Sequence, residues 1–323
     1  MPRHILLGTA LCLVAVVSWG GMFHIMEHAL MFVDPFYITA IRYMIASLIF
    51  LGILAWAEGT ASLKFEGRGV YLWLLGTAGF AGFGFLVFLG QEKISGHEGA
   101  VSASVILATM PLMTAFVHWV TSGKRPAAYT VVSLFIALSG VFLVVTRGHI
   151  SNLLSMGSSL LADATIIGGV LCWVFYTWGG SRFPRWSVLR YTALSCFLGT
   201  LSVLGITLAA TFARYLSVPT PGSVFRIGWD MAYMVLVAGI LAVFSWNSGN
   251  RTLGPVNGAL FVNMIPVTTL ALAVASGEKV VSSELYGALM VIGALVMNNL
   301  FQRNGSPKAA HGDSREKATL PPR

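Results

Sequence analysis

The chain has 323 residues, of which 56% are apolar and only 10% are charged, with 20 Lys+Arg against 12 Asp+Glu for a formal net charge of +8. Soluble domains carry roughly 25% charged residues, so this composition excludes a soluble enzyme and a disordered chain and points to a polytopic membrane protein. The basic excess collects in alternate loops between apolar runs, which excludes nucleic acid as a partner and names the lipid bilayer instead.

Ten apolar runs follow in chain order, each long enough to cross a hydrocarbon core of about 30 Å as a helix. The first, near 5–26, begins after Arg3 and His4 but has no A-x-A cleavage site, so it reads as a retained helix and not as a leader. Trp19 lies well inside this run. Tryptophan ordinarily anchors at the headgroup boundary, so a deep one is expected to face polar or cavity-lining groups. Near the end of the same run, His24-Ile25-Met26-Glu27-His28 fits H-x-x-E-H, a zinc signature on a helix. No third ligand has recognisable spacing, so neither a catalytic residue, a metal nor a cofactor is expected.

The second run, 35–57, contains Arg42, the one basic residue within a run. Burying it costs about 2.5–3.5 kcal/mol on insertion scales, so it should face protein and find a partner. Asp34, Glu98 and Asp163 are the candidates on its side, for a structural salt bridge, with substrate-carboxylate binding or gating as the other roles. After a third run at 70–90, the fourth, 98–120, carries Pro111 in its middle; the fifth spans 127–146. A Gly/Ser/Asn-rich link at 148–159 leads into the sixth, 160–180, with Trp173 and Tyr176 one turn apart and well placed to stack a planar solute.

The seventh, eighth and ninth runs cover 189–212, 229–250 and 256–276, and the tenth covers 283–302. Asn263 stands one turn before Pro266 in the ninth and can both donate and accept in a cavity. Each mid-helix proline removes one backbone bond and frees a carbonyl four residues earlier, Leu107 and Val262. In hydrocarbon such carbonyls need partners. Residues 303–323, with Arg303, Lys308, Arg315, Lys317, Arg323 and three prolines, read as a disordered cytoplasmic tail. The three cysteines, Cys12, Cys172 and Cys196, all fall inside runs without C-x-x-C spacing.

The pattern is written twice. Trp19 answers to Trp173, Gly99 to Gly254, Pro111 to Pro266 and Gly123 to Gly277, at offsets of 154 or 155. Five crossings per copy turn the second copy upside down, and inverted repeats mark carriers. With an inside N-terminus, fourteen of the 20 Lys+Arg fall on the inner side, so both termini are expected in the cytoplasm. No carboxylate falls at mid-depth, which leaves His24 and His118 as the titratable groups within or near helix ends.

Ser18-Trp19-Gly20, Arg42-Tyr43 with Ala46, Pro111, Pro266 and Ser276-Gly277-Glu278 together resemble the ten-helix EamA branch of the drug/metabolite transporter superfamily. Lys124 stands where a Glu often follows glycine, and Met110 and Ile265 where an acidic residue often precedes proline. The resemblance implies an all-α membrane protein with residues 1–147 and 160–302 as two inverted five-helix units around a central cavity. The expected activity is export of a small organic metabolite, such as an amino acid, across the plasma membrane by alternating access. A homodimer is compatible with this reading. Trp19, Trp173, Tyr176 and Asn263 would contact solute, Pro111 and Pro266 would shape the cavity, and Arg42 with His24 and Glu98 would brace or gate the outer side. The rivals are a lipid or lipid-linked sugar flippase on the same fold and, more remotely, a metalloenzyme using His24, Glu27 and His28.

Overall fold

The protein is described from a computed structural model, which covers residues 3–92, 106–146, 148, 160–275, 277 and 281–305. Glu98, Gly99, Glu278, nearly all of the 148–159 link and the chain beyond 305 lie outside these residues. Every regular element among them is helical.

The first half contains α1 (Arg3–Leu30), α2 (Pro35–Glu58), α3 (Gly69–Gly76), α4 (Phe83–Glu92), α5 (Met110–Ser122) and α6 (Ala128–Thr146). The second contains α7 (Leu160–Gly180), α8 (Val188–Phe212), the short α9 (Pro221–Arg226), α10 (Gly228–Tyr233), α11 (Ala242–Leu253), α12 (Pro255–Ala259), α13 (Met264–Ala275) and α14 (Ser282–Gly305). Asp34 starts α2 by accepting the Phe36 N–H at 2.8 Å, with Pro35 pre-set at the first helical position. Ser187 starts α8 in the same way, its Oγ accepting the Arg190 N–H at 2.9 Å. Gly123 ends α5 at φ 70°, and its counterpart Gly277 also has a positive φ of 92°, conformations that cost glycine nothing.

Among the described residues, eight helical stretches are long and apolar enough to span a membrane, and Ala128–Val144 is a shorter apolar helix. The fourth run is described only from residue 106, so it does not reach spanning length within these residues. Two ends differ from the sequence reading. α1 continues to Leu30, carrying the His24–His28 string on the helix, and α14 continues to Gly305, past the expected start of the tail. A helix end in a membrane protein is not bound to stop where apolarity stops, because the interface solvates its last turn.

Two helices are irregular at matching places. Between α3 and α4, residues Thr77–Gly82 form a widened turn, in which the Phe83 N–H reaches Ala78 O. Between α10 and α11, Met234–Leu241 does the same, the Ala242 N–H reaching Val237 O. Such i→i+5 turns leave carbonyls free for other partners.

The halves interlock by antiparallel pairs. α1 lies along α11, with Gly8 against Leu253 and Gly249 against Cys12. The mirror pair is α4 along α7, with Gly90 against Ile166 and Gly169 against Val87. α2 crosses α8 from the Tyr37 hydroxyl at Thr211 (2.7 Å) to the Thr200 hydroxyl at Tyr43 O (3.2 Å). α6 crosses α14 from Tyr129 at Phe301 to Gly140 at Gly287, where an added Cβ would stand 2.6 Å from the opposing carbonyl. Exchanging the halves maps the α1–α11 pair onto the α4–α7 pair and each of the other two pairs onto itself. Since α2 and α8, and α6 and α14, are counterparts, counterpart helices run in opposite directions. Large apolar side chains such as Trp56 (89% exposed) and Trp229 (90% exposed) cover the outer surface, as a lipid-facing bundle requires.

Candidate functional site

Where α1, α7 and α11 converge, three tryptophans meet. Trp19 and Trp173 stand edge-to-face at 5.5 Å, Trp19 and Trp246 are 5.3 Å apart, and Trp173 and Trp246 are 6.4 Å apart. Trp19 and Trp173 are the repeat-related pair, so the structure brings together what the sequence spacing singled out. Trp246 was not singled out. Its place in a polar-looking stretch, Ser245-Trp246-Asn247-Ser248, was the available signal.

Each indole is anchored by its surroundings. Trp19 Nε1 donates to Ala238 O at 3.1 Å, within the widened turn of the second half. That explains how a deep tryptophan loses its water without leaving an orphaned donor. Trp246 Nε1 donates to Thr177 Oγ1 at 3.1 Å. Trp173 contacts Phe83 at 5.3 Å, immediately after the widened turn of the first half. Gly79 and Gly82 in that turn lie so close to Tyr176 and Cys172 that no side chain would fit between. On the other side, Gly20 packs against Thr268 and Ile265 O, flanking Pro266.

Tyr176 is fully buried and stacks on Tyr191 at 5.6 Å. Its hydroxyl accepts Asn247 Nδ2 at 2.8 Å, and the same nitrogen donates to Thr192 Oγ1 at 2.9 Å. Tyr191 in turn donates to Tyr176 O at 2.6 Å. Tyr176 therefore holds α7, α8 and α11 together behind the tryptophans and presents no free ring face in this conformation. Asn263, 1% exposed, forms the end of the tight turn Leu260–Asn263 and has no hydrogen-bond partner among the described residues on either side-chain atom. A buried amide without partners is costly in a purely structural position.

The prolines do not kink continuous helices. Pro111 sits in the first turn of α5, after a break at Thr109, whose N–H turns back to Ile106 O at 3.0 Å. Pro266 follows the tight turn 260–263, where the Met264 N–H reaches Phe261 O and Val262 O. The proline's missing N–H falls where a first turn has no helical partner to give it. Val262 O is thereby answered locally. Leu107 packs partly buried against the core, one residue past the Ile106 carbonyl that takes the Thr109 hydroxyl at 2.6 Å.

Arg42 is 8% exposed and has no carboxylate partner among the described residues. The expected salt bridge is not found there: Asp34 is engaged as a cap, Asp163 is engaged in an interaction of its own, and Glu98 lies outside the described residues. Arg42 Nη1 meets Met22 Sδ at 3.0 Å, its guanidinium lies 4.3 Å from the Tyr43 ring centre, and Nε is buried without a partner among the described residues. The side chains of His24 and Glu27 fall outside the described residues, while His28 Nδ1 pairs with Asp230 Oδ2 at 2.7 Å.

At the opposite end of the bundle, the 59–68 and 181–187 loops are clamped together. Glu66 accepts Trp186 Nε1 at 2.9 Å and pairs with Arg190 at 2.8 Å. Arg68 donates to Arg182 O at 2.9 Å, and Arg251 reaches Trp186 O at 2.6 Å. The bond from Trp186, with help from Arg190, holds the Glu66 carboxyl below the usual carboxylate range.

The model of a family described as the EamA-like transporter family matches residues 6–146 and again residues 160–300. The chain is 39% identical over 301 residues to a Bacillus subtilis (strain 168) protein named Uncharacterized transporter YrdR, covering 93% of each. It is 28% identical over 276 residues to Uncharacterized transporter YyaM of the same organism, covering 84% of this chain and 87% of that one. A solved structure described only as "Crystal structure of protein" matches with a TM-score of 0.74 over 92% of this chain and 98% of the other, at 16% identity, a likeness of fold alone.

Proposed function

The chain belongs to the EamA-like transporter family, whose members are transporters and not enzymes, and from that premise we propose a carrier of ten crossings that exports a small organic metabolite, an amino acid or related compound, by alternating access. Residues 1–147 and 160–302 act as inverted five-helix units in the plasma membrane, with both ends in the cytoplasm. The antiparallel run of counterpart helices, the 154-residue offset and the one-sided distribution of Lys/Arg support this arrangement.

The observation that carries the reading is the meeting of Trp19 and Trp173, one from the first helix of each half, beside the widened turn at Ala238 and the broken helix at Pro266. Irregular backbone at membrane depth is tolerated where it is buried in protein or lines a solute path. Trp19, Trp173 and Asn263 form the solute contact, and Tyr176 supports it from behind. The clamp of Glu66, Trp186 and Arg190 closes one end.

Comparing excreted and intracellular metabolites between a strain lacking the protein and one overproducing it identifies the solute. Its flux in proteoliposomes then tests the site. Trp173→Phe retains the fold and slows flux at least several-fold, whereas undiminished flux removes the tryptophans from the path. Trp173→Ala adds a cavity to the same core and is expected to cost about 3–5 kcal/mol of stability as well.

A further inference from the structure

Among the described residues, Arg42 is a buried charge without a carboxylate partner. It stands in the third turn of α2, nine-tenths buried, within a stretch apolar enough to span a membrane. Its neighbours are the Met22 thioether and the ring and hydroxyl of Tyr43, and its stem passes Gly239 in the widened turn. A guanidinium has five donors in a planar fork. Sulfur is a weak acceptor and a ring face neutralises part of the charge at most, so these contacts leave most of its capacity unused. One turn earlier on the same helix, the buried Thr39 hydroxyl has no partner among the described residues either.

The position of Arg42 relative to the tryptophans adds the second half of the argument. Ala238 O holds Trp19, while the adjacent Gly239 faces the Arg42 stem. Met22, which touches Arg42, is one turn from Trp19 on α1. One side of the widened turn is therefore aromatic and the other cationic.

Resting on the carrier reading above, we propose that Arg42 binds the carboxylate of the transported solute, whose apolar or aromatic body lies against Trp19 and Trp173. The solute class is then a small amphipathic carboxylate, bound through the guanidinium fork with the Thr39 hydroxyl at hand. An anion would remove the cost of burying the lone cation while the carrier changes face.

Full-chain protein in detergent is titrated with phenylacetate and with phenylacetamide, its uncharged isostere, and thermal unfolding is followed. Phenylacetate raises the unfolding temperature in a saturable way and phenylacetamide does not. Arg42→Gln weakens phenylacetate binding by about tenfold or more, the range expected for a lost charge-assisted hydrogen bond. Arg42→Lys keeps part of the preference, and Glu58→Gln, at the exposed far end of the same helix, leaves it within about twofold. If Arg42→Gln does not fold, the acid-against-amide comparison on the unaltered protein and on Arg42→Lys decides. Equal response to the two probes, unchanged binding in Arg42→Gln, or a loss in Glu58→Gln as large as in Arg42→Gln overturns the inference. Flux separates it from the carrier reading. Transport of a neutral or cationic solute sinks the carboxylate role alone, while absence of any solute flux sinks the carrier and leaves phenylacetate binding to stand.

Discussion

Asn247 is the residue through which three helices are tied, since one amide nitrogen serves both the Tyr176 and the Thr192 hydroxyls. Asn247→Ala leaves both without their donor in a buried setting, and a loss of about 1–3 kcal/mol is expected from such orphaned groups. Thermal unfolding of purified protein should show a clear drop, absent from Thr252→Ala at an exposed turn of the same helix. Trp19→Phe keeps a ring in the cluster but withdraws the bond to Ala238 O. Its expected signature is slowed flux of the identified solute with little change in unfolding temperature. Of these residues, the repeat spacing exposed Trp19 and Trp173 because a doubled chain repeats its deepest anomalies. Asn247 was legible only as an uncharged polar residue near the end of the eighth run and Trp246 not at all, because their roles come from partners on other helices, 55 to 71 residues away. Arg42 was legible as a buried cation, but its surroundings were not: the sequence pattern ranked carboxylates by their side of the membrane and had no means of seeing Met22 and Gly239 beside it.

Span positions were readable at the level of elements, because the bilayer sets helix length and apolarity together. α2, α6, α7 and α8 begin and end within a residue or two of the apolar runs. The irregular stretches were not all readable. Prolines announced the breaks before α5 and α13, yet their exact form, new helices with proline in the first turn, depends on where the preceding turn tightens. Neither widened turn contains a proline. Thr77–Gly82 opens where Gly79 and Gly82 let α7 approach, and Met234–Leu241 opens where Trp19 supplies a donor. Pro111→Ala should let α5 join the turn before it, raising the unfolding temperature slightly while slowing flux; unchanged flux would detach this break from the transport cycle. At the α6–α14 crossing, the Gly140 position has no room for a Cβ against Gly287 O. Gly140→Leu should push the pair apart and destabilise by about 1–3 kcal/mol, visible in thermal unfolding.

For the whole molecule, the two ends of the bundle differ. One end is tied across the halves by Glu66 to Trp186 and Arg190 and by Arg68 to Arg182, and those ties involve exposed charge. The Glu66 carboxyl is held below its ordinary value, so its contribution to the clamp is complete above that value and is lost as pH falls through the lowered one. A bimane dye placed beforehand on a cysteine at position 181 should report loosening only in that acid range. Glu66→Gln should abolish the transition, and a transition that survives the substitution would assign it to another group. The same ties put the 59–68 and 181–187 loops on one side. On the antiparallel duplication proposed above, the 148–159 link is expected on the other side and the tail back on the first.

Single cysteines at Ser181, Asn152 and Ser314, in a background lacking Cys12, Cys172 and Cys196, measure this directly when intact cells are treated with a membrane-impermeant maleimide. The account predicts labelling at 152 alone, with 181 and 314 reacting only after the cells are opened. Labelling of 152 and 181 from the same side would contradict it.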